Sequence, residues 1–167
     1  PDAEAIRSLL TTGEAARWDP LAETLLHLAA RRQHLARAIR PALARGEWVL
    51  CDRFYDSTRA YQGGGQGVTR ATIDHLHAPV LEGLHPTLTF LLDIAPETGL
   101  ARARARGDAG RYERWPQERH AAIRDAFLAI AAEEPARCEI VDASQPIETI
   151  AAAIWTRLCE RVPDLLA

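Results

Sequence analysis

The 167-residue sequence contains no lysine and no methionine, so all 20 of its Lys+Arg residues are arginines. Without lysine, the chain has no residue that could form a Schiff base with a carbonyl substrate. It also cannot complete a Walker A loop, in which a lysine reaches the β- and γ-phosphates of a nucleotide. The lack of a start methionine leads us to expect a chain that is processed, trimmed or part of a longer gene product.

Cysteine is scarce, and neither sign of charge dominates. Cys51, Cys138 and Cys159 lie far apart in no metal-ligand spacing, which favours reduced thiols in a cytoplasmic protein. A net charge of −3 argues against a dedicated nucleic-acid or membrane-surface protein. No apolar run approaches the ~20 residues of a membrane span, and the N-terminus has no signal-peptide core.

The composition is that of one globular domain, with 47% hydrophobic and 26% charged residues and no repeat or long linker. Short apolar runs at 48–51, 88–92 and 139–141 alternate with helical patterns. This alternation predicts parallel strands covered by helices, an α/β fold. The predicted helices run from Pro20 to Arg45 and over 69–81, 96–106, 115–132 and 146–161.

The first of these helices shows the clearest periodicity. Its apolar positions are Leu21, Leu25, Leu28, Leu35, Ile39 and Leu43. They predict one buried stripe. The opposite face carries His27, Arg31 and His34, three and four residues apart.

Each predicted strand ends in an aspartate: Asp52, Asp93 and Asp142. Ligands bind outside the carboxyl ends of parallel strands, so these carboxylates are expected along one functional edge. The alternative is that an aspartate opens a turn or caps the next helix, and for Asp93 this alternative is favoured.

The densest group of chemically useful residues is DRFYDSTRAYQGGGQG, residues 52–67. Asp52 suits a hydrated Mg²⁺, and the planar fork of Arg53 suits phosphate oxygens. Ser57, Thr58 and Tyr61 fall about one helical turn apart and can face one pocket. The glycines fit either a phosphate cradle or, more simply, a helix end followed by a turn.

This motif resembles the DR[YFH]xxSxxAYQGxGRG pattern of the bacterial thymidylate kinases. The segment LLHLAARRQHLARAIRPALARGEWVLCDR is similar to the helix and strand that precede the pattern in that family. The segment HPTLTFLLDIAPETGLARARARGDAGRYE is similar to the following strand, helix and lid. The resemblance implies a three-layer α/β/α P-loop-kinase fold in a single domain over 1–167, with a lid at about 104–118.

The same resemblance implies transfer of the ATP γ-phosphoryl group to dTMP, with Mg²⁺, in a dimeric cytoplasmic enzyme that binds neither nucleic acid nor membrane. Arg53 would hold the acceptor phosphate, Asp52 would lie near the metal through water, and Arg31 would bind the base. The residues expected to line the deoxynucleotide are His27, Ser57, Thr58, Tyr61 and Gln62. The residues expected at the ATP and lid side are Arg102, Arg104, Arg106, Arg111, Ala143, Ser144 and Gln145.

Arginines at every second position point to different helix faces, so only some lid arginines can reach one phosphate. Arg111 and one of Arg102, Arg104 and Arg106 are the expected catalytic cations, with Arg106 preferred. The loop 106–111, with its two glycines, is expected to be mobile. His75 and His77 form a pair without an evident third ligand, which favours a solvated helix face over a metal site.

Four features depart from the family pattern. His27 stands where the family usually has a phenylalanine, which should weaken stacking or change its pH dependence. Gly110-Arg111 replaces Asp-Arg, and Gly65-Gln66-Gly67 replaces GRG. The strands and phosphate loop with GK[ST] that open the family pattern are not found, so this chain alone is expected to be inactive.

Three other functions stay open at this point. The chain could belong to a deoxynucleoside kinase or to another monophosphate kinase of similar topology. It could be a binding module that keeps a nucleotide pocket without catalysis. An arginine-rich nucleic-acid binder is the weakest alternative.

Overall fold

The structure is a computed structural model that describes residues 2–14, 17–107 and 110–163. Its helices and strands follow in the order α1 (Asp2–Thr11), α2 (Pro20–His34), a first π-helical segment (Leu35–Ile39), α3 (Arg40–Ala44), α4 (Tyr55–Thr58), a second π-helical segment (Arg59–Gly64), α5 (Arg70–Leu81), β1 (Thr89–Asp93), α6 (Pro96–Ala105), α7 (Gln117–Glu133), β2 (Cys138–Asp142) and α8 (Ile147–Arg161). None of the helices in these ranges is long and apolar enough to cross a membrane.

The long helix begins as the sequence predicts. The carboxylate of Asp19 accepts hydrogen bonds from the backbone N–H groups of Leu21 and Ala22, at 2.9 and 3.2 Å, and Pro20 occupies the first turn. The helical path then continues through the π-helical segment to Ala44. It ends before Gly46, whose φ of 76° places it in the left-handed region.

The predicted apolar stripe of this helix is only partly correct. Leu28, Leu35 and Ile39 are buried, as expected. Three others are exposed: Leu21, Leu25 and Leu43. The interior side of α2 carries Glu23 and Thr24 instead, because polar partners from other segments meet it there.

Strands β1 and β2 form a parallel pair in which Leu91 faces Ile140 and Asp93 faces Asp142. The prediction of these two strands is confirmed. The predicted strand at 48–51 is wrong: Trp48 is 63% exposed and Leu50 is fully exposed. A strand needs a neighbour to bond its backbone, and among the described residues no strand pairs with this segment.

Helix α7 packs against both strands and against the second π-helical segment. Its residues Ile130 and Ala131 are buried with Cys138 of β2, and Leu91 of β1 packs against them. Helix α8 contacts β2. The predicted helices over 69–81, 96–106, 115–132 and 146–161 are therefore confirmed to within a few residues.

The glycine run closes the second π-helical segment and lies against α7. A Cβ atom on Gly64 would stand 2.6 Å from the Cβ of Ala126 and 2.9 Å from the carbonyl oxygen of Ala122. Gly67 follows with φ of 79°. The run is thus a closely packed helix end with a turn, the simpler of the two interpretations of these glycines.

Arg137 joins α4 to the sheet. Its guanidinium binds both carboxylate oxygens of Asp56 at 2.8 Å, the hydroxyl of Thr89 at 3.0 Å and the carboxylate of Glu134 at 2.8 Å. Asp56 is buried, so it depends on this partner for its charge. The bidentate contact fixes α4 against the strands, and with it residues 52–67, which we call the DR motif.

We expect Arg137→Ala to lower the free energy of unfolding by about 3 kcal/mol, because it leaves the buried carboxylate of Asp56 without its bidentate partner. Urea denaturation measures the effect. The matched control is Arg157→Ala, which removes an exposed ion pair to Glu160 and should cost less than about 0.5 kcal/mol. Equal losses in the two variants would contradict the assignment.

Candidate functional site

A cavity of about 710 Å³ opens between α1, α2, the DR motif and residues 110–113. Nine of the residues singled out from the sequence line it: His27, Arg31, Asp52, Arg53, Ser57, Thr58, Tyr61, Gln62 and Arg111. They come from three separate stretches of the chain. The predicted acceptor residues therefore share one cavity.

Arg53 occupies an unusual backbone conformation on this cavity's wall. Its φ is 63°, in the left-handed region that non-glycine residues rarely adopt. Its guanidinium carbon lies 4.9 Å from the centre of the Tyr61 ring. The surrounding structure therefore holds Arg53 in a strained conformation, with its guanidinium next to the ring of Tyr61.

Arg31 is held from several sides. It donates hydrogen bonds to the Thr58 hydroxyl at 2.9 Å, the Phe54 carbonyl at 2.9 Å and Nε2 of His77 at 3.1 Å. Burial lowers the pKa of Arg31 to about 10, so it remains a cation at neutral pH. Its direction is set by the protein before any ligand binds.

The contact with Arg31 corrects the expectation for the histidine pair. His75 is exposed, as expected, but His77 is buried and accepts from Arg31. An arginine offers only donors, so Nε2 of His77 is unprotonated and its ring is neutral. Within the described ranges, no group of three or more His, Cys, Asp or Glu residues could hold a metal ion.

Glu23 is a site residue that the sequence reasoning missed. Its side chain is fully buried, and its Oε1 accepts from the amide nitrogens of Gln62 and Gln66, each at 2.9 Å, and from the hydroxyl of Tyr112 at 3.1 Å. Its Oε2 forms an ion pair with Arg111. The one clue in the sequence is that Glu23 lies beside the apolar positions of α2. That position does not by itself indicate a buried carboxylate, because its partners are distant in sequence.

Arg111 is buried, with 1% of its surface exposed. Besides Glu23, it donates to the carbonyl oxygens of Leu10 at 3.1 Å and Glu14 at 2.9 Å. The loop 106–111, expected to be mobile, is therefore anchored at its C-terminal end. Asp108 and Ala109 of that loop lie outside the described residues.

His27 is connected to Glu23 through Tyr112. Its Nε2 lies 3.0 Å from the hydroxyl of Tyr112. Burial, with the charge of Arg31 second, lowers the pKa of His27 to about 4. The imidazole of His27 is therefore neutral at pH 7.

Of the residues predicted for the ATP and lid side, Arg111 lines the cavity, and the others lie elsewhere. Arg102 donates to the carbonyl oxygens of Ala143 at 2.7 Å and Ser144 at 3.1 Å, which joins α6 to the loop after β2. Asp142 accepts from the backbone N–H of Ser144 at 2.8 Å and from Gln145 at 3.0 Å, bonds that lower its pKa to about 2. Arg104 and Arg106 are exposed, and neither lines the 710 Å³ cavity.

The three strand-end aspartates separate in the structure. Asp93 and Asp142 lie side by side in register, as expected, while Asp52 lies in the cavity wall. Of the two alternatives for Asp93, a turn or a helix cap, the cap is wrong, because α6 has Ala95 at its N-cap. Arg124 binds both oxygens of Asp93 at 2.7 and 2.8 Å and holds the pKa of that carboxyl below its usual value.

The two buried histidines predict an acid-sensitive fold. Burial lowers the pKa of His27 and of His77 from 6.5 to about 4, so between these values the unfolded chain binds more protons. The free energy of unfolding is therefore highest above pH 6.5 and decreases as the pH drops toward 4. At pH 5 each histidine lowers it by about 2 kcal/mol. Urea denaturation at pH 7 and pH 5 measures this loss.

His77→Gln keeps an acceptor for Arg31 but cannot titrate, so it should show about half the acid-induced loss. The control His75→Gln alters an exposed ring on the same helix and should behave as the parent. A pH dependence that is the same in all three proteins would contradict the assignment.

Comparison with known proteins agrees with the geometry. The family model described as thymidylate kinase matches residues 1–154. The thymidylate kinase of Caulobacter vibrioides is 49% identical over 162 residues, which cover 97% of this chain and 78% of that protein. That of Pseudomonas fluorescens is 50% identical over 154 residues, covering 92% of this chain and 73% of that protein.

A solved structure gives the same result. The crystal structure of thymidylate kinase from Ehrlichia chaffeensis superposes with a TM-score of 0.71 at 31% identity, covering 93% of this chain and 72% of that one. The parallel β1–β2 pair flanked by helices is consistent with the α/β fold of P-loop kinases. The chain belongs to the thymidylate kinase family.

Proposed function

We propose that the protein transfers the γ-phosphoryl group of ATP to the 5′-phosphate of dTMP and yields dTDP and ADP. The observation that carries the proposal is the 710 Å³ cavity, which gathers the predicted acceptor residues with Arg31 and Arg53 among them. The relatives named thymidylate kinase support the choice of substrate.

The acceptor side follows from charge and shape. Arg53 binds the phosphate of dTMP, since it lies on the cavity wall with its guanidinium beside the ring of Tyr61. Arg31 donates to the base, and the neutral ring of His27, one helical turn earlier, stacks on it. Ser57, Thr58 and Tyr61 line the sugar. Gln62 contributes through Glu23, which it contacts directly.

In the reaction, a phosphate oxygen of dTMP attacks the γ-phosphorus as the bond from that phosphorus to the β–γ bridging oxygen breaks. The protein has little covalent work to do, and positioning with charge neutralisation supplies most of the catalysis. The loop of Ala143, Ser144 and Gln145, held by Arg102, borders the adenine. Arg106 and Arg111 remain the proposed catalytic cations, and Arg104 belongs to the ATP and lid side.

The residues present fit a magnesium ion held mainly by substrate. Mg²⁺ commonly binds one or two carboxylates together with phosphates and water, and Asp52 is an exposed carboxylate in the cavity wall. When bound, the ion would neutralise phosphate charge. Asp52 would hold it through water and orient it toward the acceptor phosphate.

We also propose the oligomeric state, the cellular location and the activity of the chain on its own. The enzyme is a homodimer, with the exposed leucines of α2, Leu21 and Leu25, at the contact. It works in the cytoplasm, in keeping with three free cysteines. The 167-residue chain alone is inactive, because it has no lysine to reach the β- and γ-phosphates.

We expect Arg53→Ala to lower kcat/KM for dTMP about 100-fold in the full-length protein, because it removes the cation that positions the acceptor phosphate. Coupled release of ADP measures the rate. Arg45→Ala is the matched control, since Arg45 is exposed, pairs with Glu47 and lies outside the cavity. Full activity in Arg53→Ala would contradict the role.

The same assay separates the alternatives. With dTMP, dUMP, dGMP and thymidine as acceptors, we expect dTMP to be preferred; preference for thymidine or dGMP would indicate another kinase.

Calorimetric binding of dTMP by the full-length protein without turnover would indicate a non-catalytic module. Salt-sensitive affinity for duplex DNA would indicate a nucleic-acid binder. An ordinary kinase rate from the bare chain would overturn its proposed inactivity.

A further inference from the structure

A row of hydrogen bonds runs from Glu23 through Tyr112 to His27. The Tyr112 hydroxyl lies 3.1 Å from Oε1 of Glu23 and 3.0 Å from Nε2 of His27. Glu23 and His27 stand one turn apart on α2, and Tyr112 reaches them from residues 110–115. The row therefore joins two segments that are distant in sequence.

The direction of each hydrogen bond follows from the groups around Glu23. Three of the neighbours can only donate at these contacts: the side-chain amide nitrogens of Gln62 and Gln66 and the guanidinium of Arg111. The ion pair with Arg111 requires Glu23 to be a carboxylate, which has no hydrogen to donate. The hydroxyl of Tyr112, which can donate or accept, therefore donates to Oε1 of Glu23.

Tyr112 has a single hydroxyl hydrogen, which it donates to Glu23. Its oxygen can then only accept at its other contact, so Nε2 of His27 must carry a hydrogen and donate it. The ring of His27 is neutral, and its hydrogen consequently resides on Nε2 and not on Nδ1. Tyr112 thus selects one tautomer before any ligand arrives.

The ring of Tyr112 is itself fixed. It packs edge-on against Trp115 and Tyr61, with centroids 5.0 and 5.5 Å apart. Both His27 and Tyr112 line the 710 Å³ cavity. His27 cannot turn its ring there without losing the hydrogen bond to this rigid neighbour.

We propose that Tyr112, supported by Glu23, is a positioning residue that holds His27 as a neutral, Nε2-protonated platform for the planar base of the acceptor nucleotide. This inference rests on the proposed function, since the base is that of dTMP. It makes the affinity for the acceptor depend on residues 110–115 being seated against α2.

Tyr112→Phe keeps the ring and removes the hydroxyl. In the full-length protein we expect KM for dTMP to rise about fivefold, as for the loss of one neutral hydrogen bond, with kcat changed less than about twofold. In a His27→Phe background the same substitution should change KM less than about 1.5-fold, because a phenyl ring has no N–H to hold. Equal effects in both backgrounds would overturn the proposal.

The chain offers a matched control in a second tyrosine–histidine pair. The hydroxyl of Tyr55 lies 3.3 Å from Nδ1 of His85, and neither residue lines the cavity. Tyr55→Phe should leave KM for dTMP unchanged. A rise equal to that in Tyr112→Phe would mean that the effect is general loosening of the fold, which contradicts positioning of the base platform.

Long-range ¹H–¹⁵N NMR of the His27 ring tests the tautomer without turnover. We expect Nε2–H in the ligand-free wild-type protein and a mixture of tautomers in Tyr112→Phe. An Nδ1–H ring in the wild type overturns the inference, even if Tyr112→Phe does not fold. If the tautomer is Nε2–H but dTMP shifts no resonance and is not phosphorylated, the proposed function fails and the base-platform role falls with it.

Discussion

The buried carboxylate of Glu23 is the group on which the arrangement of the cavity depends. A charge without access to water is costly unless donors surround it, and four donors from two other parts of the chain do so here. Arg111 and Tyr112 come from the segment after α6, and Gln62 comes from the DR motif. Satisfying one carboxylate thus brings α2, the motif and residues 110–115 to one place.

The consequence is a cavity whose polar groups are aimed before a ligand enters. Arg31 is fixed by Thr58, Phe54 and His77, and His27 is fixed by Tyr112. Arg137 holds Asp56 and so anchors the helix that presents Ser57 and Thr58. Phosphoryl transfer gains from such preorganisation, because the protein need not reorder its dipoles during the reaction.

The sequence predicted the features that depend on local pattern. The Asp19-Pro20 start, the Gly46 stop and the strands at β1 and β2 follow from caps and apolar runs. The nine residues that share the cavity were predicted by motif and by resemblance. By contrast, the apolar run at 48–51 has no partner strand in the described ranges. Whether such a run forms a strand depends on a neighbouring strand that bonds its backbone, and the residues of the run do not reveal that neighbour.

The features that the sequence did not reveal are long-range polar contacts. The sequence places Arg111 in a loop, but the structure buries it in an ion pair with Glu23, 88 residues away along the chain. The sequence favoured a solvated position for His77, but the structure buries it against Arg31. No periodicity encodes such pairs, because each requires the tertiary position of a second polar group. The same contacts explain why the 710 Å³ cavity has a defined shape.

The decisive measurement is a crystal structure of the full-length protein with dTMP. We expect the nucleotide in the 710 Å³ cavity, with its phosphate on Arg53 and its base against His27 within reach of Arg31. Density for dTMP at the loop 143–145, or anywhere away from Arg31 and Arg53, would contradict it.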